Sequence, residues 1–270
     1  MSLEFEISRQ QVDAFQRDGY VIAHGMVGEE MRNRMLASIQ DDVARHSAPI
    51  EYEAELDYPG APSSLDAEGG RTIRRLKNAI ARDPVFTELV QLPALKRSLT
   101  MLLGPELVIP MAHHNCIMTK HPRFSSDTGW HQDARYWSFD RPELISVWVA
   151  LSSEYKRNGG LAVIPGTHKE IPSSDRLDEA LFLRTDLKEN QSLIATAINV
   201  ELEPGDVLFF HCLTFHSASR NHTDETKYSV VFTVRPGDNR PQPGTRSSSM
   251  PELVLPAEVV TAEASRPAGA

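Results

Sequence analysis

The first third of the chain carries apolar residues at helical spacing. Ser8 is a good N-cap, and Gly19 a good C-cap, for a short amphipathic helix between them. Apolar side chains recur near every fourth position over residues 29–44, which predicts a second helix, and residues 92–103 predict a third. Together these patterns predict a mainly helical N-terminal region over residues 1–106.

From residue 107 onward the pattern changes to short apolar runs separated by turn residues, which is typical of antiparallel sheets. Strands are predicted at residues 108–119, 129–137, 144–151, 161–164, 192–200, 207–211, 214–218 and 227–234. About eight strands within roughly 130 residues predict a double-sheet jelly roll or a similar barrel. The predicted core therefore covers residues 107–235, and the predicted fold is mainly β with flanking helices.

Three segments lie outside these elements. Residues 20–22 predict a short strand, and the acidic segment 47–70, rich in Pro and Gly, predicts a loop. Residues 236–270 are rich in Pro, Gly, Ser and Arg, which predicts a tail that packs late, wraps a neighbour or stays disordered. Because no internal linker divides the chain, we expect a single domain over residues 1–270.

The composition limits the class of protein. The chain has 270 residues, of which 40% are hydrophobic and 24% charged, as expected for a soluble globular protein large enough to enclose a cavity. A net charge of -9 argues against nucleic-acid binding, and no apolar run approaches the ~20 residues of a membrane span. The N-terminus has no secretory pattern, and Cys116 and Cys212 both lie in apolar runs, so we expect buried thiols and a cytoplasmic location. No pattern fixes the oligomeric state.

The candidate chemistry begins with His131 and Asp133, two residues apart in the predicted strand 129–137. Alternate residues of a strand point the same way, so the two side chains can bind one metal ion, although a lone His-x-Asp also occurs by chance. His211 and His216 are candidates for a third ligand. Alternation alone does not choose between these two histidines, and a turn between them would break the count. Two His and one carboxylate are the ligands of non-haem Fe(II) oxygenases.

Several stretches then carry a family resemblance. They are residues 15–21 (FQRDGYV), 131–136 (HQDARY), 158–169 (NGGLAVIPGTHK), 203–211 (EPGDVLFFH) and 216–221 (HSASRN). With these motifs, in this order and over most of its length, the chain resembles the phytanoyl-CoA dioxygenase family of Fe(II)/2-oxoglutarate oxygenases. The resemblance implies a double-stranded β-helix fold and iron ligands at His131, Asp133 and His216, whereas His211 matches a family position that need not bind metal.

The resemblance also implies a reaction. Iron, O2 and 2-oxoglutarate would hydroxylate an unactivated C–H bond of a small or medium organic substrate and release succinate and CO2. The carboxylate of Asp133 favours hydroxylation over halogenation, because the halogenating relatives have a small residue there. Two alternatives stay open: a desaturase or epimerase of the same fold, and a degenerate metal-binding jelly-roll protein without oxygenase activity.

The expected co-substrate pocket departs from the family pattern. Where the family has an arginine for the far carboxylate of 2-oxoglutarate, this chain has Lys227, and where it has a small hydroxyl residue, this chain has Ala218. We expect Lys227 to pair with that carboxylate, the alternative being an exposed lysine at a strand end. Trp148, Cys116 and Lys77 match family positions near the co-substrate. Trp148 is also consistent with a plain core residue, and Lys77 with a solvated basic face.

The expected substrate side follows directly after the first metal motif. Gln132, Arg135 and Tyr136 are candidate substrate residues, and the resemblance puts the last two near the mouth of the cavity. Arg135 suits an acidic group of a substrate, although a surface salt bridge is an equally good interpretation.

Overall fold

The structure is a computed structural model that describes residues 6–256. Its helices in that range are α1 Arg9–Asp18, α2 Glu29–Arg45, α3 Pro84–Val90, α4 Pro93–Leu103 and α5 Lys188–Ile194. The predicted caps of α1 are confirmed: the Ser8 hydroxyl accepts a hydrogen bond from the backbone N–H of Gln11, and Gly19 ends the helix at a φ of 81°. In the described region of the chain, no helix is long and apolar enough to cross a membrane.

The strands form two antiparallel sheets. They are β1 Tyr20–Ala23, β2 Ile50–Tyr52, β3 Ile73–Lys77, β4 Leu107–Pro110, β5 Asn115–Lys120, β6 Thr128–His131, β7 Ile145–Ala150, β8 Leu161–Val163, β9 Ile198–Asn199, β10 Val207–His211, β11 His216–Ala218, β12 Lys227–Pro236 and β13 Glu252–Leu255. The larger sheet has the order β1-β10-β7-β12-β5-β3-β2, with β4 joining β12 to β13, and the smaller has the order β6-β11-β8-β9. The prediction of a mainly β fold with flanking helices is confirmed.

The larger sheet is buried on both faces. One face packs against the helices, where Met35 of α2 and Leu89 of α3 share a core with Phe209 of β10. The other face points toward the smaller sheet, where Leu208 and its neighbours on β7 and β12 form a second core with residues of β8. Because strand residues alternate between these two cores, every residue of β7 is buried. The candidate metal ligands line the space between the two sheets.

The predicted strand over 129–137 is wrong beyond His131. Strand β6 ends there, and Asp133–Tyr136 form a 3-10 turn instead. The N–H of Arg135 bonds to the carbonyl of Gln132 at 3.2 Å, so the backbone curls out of the sheet. Asp133 therefore comes close to His131 through a turn and not through the alternation of strand faces.

Other boundaries also need correction. The predicted strand over 108–119 is two strands, because a turn after Pro110 separates β4 from β5. The predicted strand over 192–200 is wrong in its first part: residues 192–194 end α5, a turn follows, and only Ile198–Asn199 form the short β9. The predicted loop 47–70 contains β2. The N-terminal region, predicted as mainly helical, also contains β1 and β3.

A section of the predicted tail is folded. Strand β13 pairs with β4, so residues 252–255 add to the same sheet as β1. That shared sheet supports the single domain, which stays a prediction. Residues 257–270 of the predicted tail lie outside the described residues.

The core behind the site supplies a test of stability. Phe209 is fully buried between the helices and the larger sheet. We expect Phe209→Ala to lower the free energy of unfolding by ~3–5 kcal/mol, because the lost contacts leave a cavity. Urea unfolding measures this change. Ile171→Ala, at a side chain that is 74% exposed, is the control and should change it by less than about 0.5 kcal/mol; equal losses in both variants would contradict this account of the core.

Candidate metal centre

Two neighbouring strands of the smaller sheet bring the histidines together. His131, the last residue of β6, is the direct cross-strand partner of His216, the first residue of β11. The chain reaches β11 from β10 through a turn in which the N–H of Thr214 bonds to the carbonyl of His211 at 2.8 Å. The turn breaks the strand alternation between the two candidate histidines. His211 therefore stays at the end of the larger sheet, while His216 enters the smaller sheet.

The three predicted metal ligands converge on one point. One ligand atom from each of His131, Asp133 and His216 lies within 4.8 Å of the other two, and all three residues are buried. Asp133 Oδ1 is 3.8 Å from His131 Nε2 and 3.5 Å from His216 Nε2. The imidazole rings lie 4.2 Å apart between centroids. Two nitrogens and one oxygen on one side of a point leave the opposite side open for further ligands.

Hydrogen bonds fix how these side chains are turned. His131 Nδ1 donates to the carbonyl of Gly129 at 2.9 Å, and His216 Nδ1 donates to the carbonyl of Thr214 at 3.1 Å. A carbonyl only accepts, so each Nδ1 carries the proton and each Nε2 keeps its lone pair for a metal. Ser146 donates to Asp133 Oδ2 at 2.6 Å, which leaves Oδ1 for the same metal. The residues present therefore fit an Fe(II) ion.

The electrostatics of the cluster favour the same ligand states. Burial, together with the neighbouring His216, lowers the pKa of His131 well below its usual value, so this ring is neutral at pH 7. Burial by itself raises the pKa of Asp133, but its electrostatic interactions with the imidazoles of His114, His216 and His131, together with the Ser146 hydrogen bond, outweigh it. The net pKa of Asp133 lies below its usual range, and the carboxylate is ionised. A neutral imidazole beside a carboxylate is the state that binds a divalent metal.

Two cavities meet at this cluster. An inner cavity of about 50 Å³ extends between the two sheets, and an outer cleft of about 460 Å³ opens on the other side. His131, Asp133, His114 and Arg75 line both. The candidate metal centre therefore lies between a small cavity and a larger one.

Lys227 lines the inner cavity and is 3% exposed, which excludes the alternative of an exposed strand-end lysine. Its ammonium donates to Glu154 Oε2 at 2.9 Å and to Ser229 Oγ at 3.1 Å. Glu154 also accepts from Trp148 Nε1 at 2.9 Å. Lys227 thus belongs to a buried ion pair within the protein, with a partner that the sequence did not reveal.

A second lysine lines the same cavity. Lys120 of β5 is the cross-strand partner of Lys227 and is equally buried. Its ammonium donates to the carbonyl of Ser126, and among residues 6–256 it forms no ion pair with a carboxylate. Burial, with a smaller contribution from the charge of Arg74, lowers the pKa of Lys120 to about 7.

The remaining predicted co-substrate residues divide between the two cavities. Trp148 and Ala218 line the inner cavity, and the Trp148 ring lies 5.0 Å from the Lys227 ammonium. Cys116 lines the outer cleft and is buried. Lys77 is half exposed at the cleft and lies 3.7 Å from Glu51, so it does not belong to the inner cavity.

Of the three predicted substrate residues, two line the outer cleft and one does not. Arg135 and Tyr136 line the outer cleft, and both donate to the carbonyl of Ala180. Gln132 points away from the cleft, because its amide donates to the carbonyl of Leu213 at 2.7 Å. Arg135 makes no salt bridge in the described region of the chain, so the alternative of a surface ion pair is not observed.

The sequence reasoning missed three residues of the site. Ser146, Glu154 and Lys120 carry its hydrogen bonds and charges, yet none belongs to a recognisable motif. Their roles arise from cross-strand pairing. A lysine paired in register with another inward-facing lysine is the signal that would have identified Lys120.

Comparison with known proteins gives consistent results. A family model described as phytanoyl-CoA dioxygenase matches residues 15–229. A probable phytanoyl-CoA dioxygenase of Caenorhabditis elegans is 26% identical over 232 residues, covering 83% of this chain and 74% of that protein. These matches confirm the predicted class of enzyme, an iron- and 2-oxoglutarate-dependent oxygenase.

Solved structures agree on the fold. EctD from S. alaskensis, crystallised with 2-oxoglutarate and 5-hydroxyectoine, superposes with a TM-score of 0.70 at 20% identity and covers 90% of this chain and 80% of its own. The epimerase SnoN, in complex with Fe3+, alpha ketoglutarate and nogalamycin RO, gives a TM-score of 0.69 at 20% identity, covering 87% and 85%. The predicted double-stranded β-helix is confirmed.

The two candidate histidines allow a direct test of the ligand set. We expect His216→Ala to weaken Fe(II) binding by more than the roughly 10–100-fold that loss of an outer hydrogen-bond partner costs. His211→Ala should keep the wild-type affinity, because the His211 imidazole accepts from the N–H of Leu213 and packs against Phe15 and His168. Anaerobic calorimetric titration with Fe(II) measures both affinities. The reverse order of the two variants would overturn the ligand assignment.

Proposed function

The chain belongs to the phytanoyl-CoA dioxygenase family, and on that premise we propose that it hydroxylates an unactivated C–H bond of a small or medium organic substrate. The observation that carries this proposal is the buried convergence of His131, Asp133 and His216 beside two cavities. A complete trio with a carboxylate supports hydroxylation. The relatives named above act on small molecules, which supports a substrate of that kind.

In this proposal the protein positions the metal, the co-substrate and the substrate relative to one another. His131 Nε2, His216 Nε2 and Asp133 Oδ1 would hold Fe(II), and the hydrogen bonds to Gly129, Thr214 and Ser146 keep these atoms turned toward one another. Bound Fe(II) would supply, with 2-oxoglutarate and O2, the oxidation that yields the alcohol, succinate and CO2. The inner cavity excludes water from the co-substrate, and the outer cleft presents the substrate.

Lys227 is the proposed partner of the far carboxylate of 2-oxoglutarate. Its burial in the inner cavity supports this role, since a carboxylate placed there needs a cation. Glu154 and Ser229 already take two donors of the ammonium, and a lysine has three, so one donor is left for the co-substrate. Lys120, which has no carboxylate of its own among the described residues, supplies a second positive charge in the same cavity. We propose that the two lysines hold the co-substrate carboxylate together.

The other assignments follow from the two cavities. Trp148 and Ala218 are proposed to pack against 2-oxoglutarate, and Cys116 and Lys77 to border it from the side of the outer cleft. Arg135 and Tyr136 are proposed substrate residues, whereas Gln132 supports them through its bond to the β10–β11 turn. Two unpaired, buried cysteines support the proposed cytoplasmic location.

A second candidate function rests on one observation. Glu154 offers its own carboxylate to Lys227, so this cation is already neutralised. A protein that binds iron without oxidising a substrate would tolerate that arrangement. The two functions differ in whether 2-oxoglutarate binds and decarboxylates.

Anaerobic titration with Fe(II) and 2-oxoglutarate tests the proposed function. We expect the metal-to-ligand charge-transfer band, and succinate after O2 is admitted. Replacing Lys227 alone would leave Glu154 buried and uncompensated, so Lys227→Met is combined with Glu154→Gln. The double variant should bind 2-oxoglutarate about tenfold more weakly or worse, and Lys227→Arg should retain 2-oxoglutarate binding.

The charge-transfer band distinguishes the oxygenase from the second candidate function, an iron-binding protein without oxygenase activity. Iron binding by the wild type with no band would establish the second candidate and end the oxygenase proposal. A band of unchanged affinity in the double variant would remove Lys227 from the co-substrate site.

The pKa of Lys120 predicts a pH dependence. This pKa of about 7 lies below the usual value for lysine, so the free amine forms as the pH rises through 7. A carboxylate prefers the protonated form, and we therefore expect 2-oxoglutarate affinity to be constant below pH 7 and to fall above it, by up to about tenfold per pH unit. Charge-transfer titrations from pH 6 to 9 measure this. Lys120→Met should remove the dependence and the exposed control Lys188→Met should keep it; a flat wild-type profile would exclude Lys120 as a contact.

A further inference from the structure

The outer cleft beside the metal ligands has a strongly basic wall. Four cationic side chains line it: Arg75, Lys77, Arg135 and Arg246. The acidic residues in the same lining are Glu51 and the metal ligand Asp133. With the carboxylate of Asp133 committed to the metal, a single carboxylate faces four cations.

Glu51 does not neutralise this excess. Its carboxylate lies 3.4 Å from Arg75 Nε and 3.7 Å from Lys77 Nζ, and 3.5 Å from Arg74 Nε, which belongs to the inner cavity. One carboxylate is thus divided among three cations. Arg135 and Arg246 have no acidic partner among residues 6–256.

The guanidinium of Arg135 is held in place without being neutralised. It lies 4.1 Å over the ring of Phe182 and 4.9 Å from that of Tyr136. Its hydrogen bonds go to the carbonyl of Ala180 and the hydroxyl of Tyr58, both uncharged. Such a stacked guanidinium is pre-organised, and it keeps further N–H donors for an oxyanion.

Arg246 lies on a segment that is anchored at the cleft. It begins the 3-10 turn Arg246–Ser248, and the Ser247 hydroxyl in that turn accepts from the N–H of Ser138 at 2.8 Å and bonds to His113 Nε2 at 2.8 Å. Burial, and after it the charge of Arg246, lowers the pKa of His113 to about 3, as expected for an arginine that faces the cleft. The side chain of Arg246 is exposed and unpaired in the described region of the chain.

Apolar side chains also line the cleft, alongside its charged and polar residues: Trp137, Met111, Met250, Leu56, Tyr58 and Tyr136. An apolar body would pack on them while an anionic group meets the arginines. Net charge of the whole protein is -9, so this local excess of positive charge is not a general property of its surface.

We propose that the outer cleft binds an organic oxyanion, an apolar or aromatic molecule whose carboxylate or phosphate is bound by Arg135 and Arg246. This assignment rests on the proposed function in that the bound acid is the molecule presented to the metal for oxidation. The guanidinium pair then sets which C–H bond lies at the metal, because it fixes the charged end of the substrate.

Binding to the Fe(II)-loaded protein, kept anaerobic and without 2-oxoglutarate, tests the proposal independently of oxygenase activity while Asp133 is committed to the metal. Three probes share one aromatic body: 1-naphthaleneacetate, its uncharged amide, and 1-naphthyl phosphate. Calorimetric titration should give saturable binding of at least one acid, at least about tenfold tighter than the amide, with affinity falling as salt is raised. The stronger of the two acids identifies carboxylate or phosphate as the preferred group.

Matched variants locate the interaction. Arg246→Gln should weaken binding of the acids about tenfold and leave the amide unchanged, and it should not affect folding because the side chain is exposed and unpaired within residues 6–256. Arg135→Gln should act in the same direction. Arg9→Gln, on an exposed face of α1 away from the cleft, is the control.

Equal binding of acid and amide, no saturable binding of either acid, or equal effects of Arg246→Gln and Arg9→Gln would overturn the proposal. Failure of the oxygenase proposal is distinguishable, because it appears as a missing charge-transfer band while the acids still bind.

Discussion

The backbone register between β6 and β11 is the constraint on which the site depends. It sets His131 directly opposite His216, and cross-strand partners have side chains close enough to share one metal ion. On its other edge β11 is fixed by β8, where His216 pairs with Val163. A slip of one residue would turn the His216 imidazole to the other face of the sheet and leave one histidine at the metal position.

The N-terminal helix helps to fix that register. The carbonyl of Gly19, at the end of α1, accepts from the N–H of His211 and from the hydroxyl of Thr214, each at 2.8 Å. A Cβ at Gly19 would collide with the imidazole of His168 and the hydroxyl of Thr214, and the positive φ of this residue also favours glycine. The turn that carries the chain from one sheet to the other is thus bonded to a helix cap about 195 residues earlier in the sequence.

Much of this fold could be predicted from the sequence, since caps and apolar runs act locally. Ser8 and Gly19 bound α1, and the strand prediction for 207–211 matches β10. The elements that were not predicted depend on contacts between distant segments. Strand β3 contains Arg74 and Arg75, whose charges hide its pattern, and their carboxylate partners lie on other segments.

In the site, too, local motifs could be predicted from the sequence, whereas contacts between distant segments could not. Family motifs contain the three candidate metal ligands, but they do not contain Glu154, the residue that forms the ion pair with Lys227. Asp133 was expected on a strand and lies on a 3-10 turn, because the hydrogen bonds that curl the backbone there involve ordinary residues. Long-range pairing of charges follows from the fold and not from spacing along the chain.

The segment between β12 and β13 is held by strand β4 at both ends and is separate from the strands that carry the candidate histidines. Both of its ends are held by β4, and it carries Arg246 to the outer cleft without a bond to β6 or β11. Sequence changes there can reshape one wall of the cleft while the strands that present the histidines keep their register. The shape of the outer cleft is therefore separable from the geometry of the candidate metal ligands: changes in a short span after β12 can alter the one and leave the other intact.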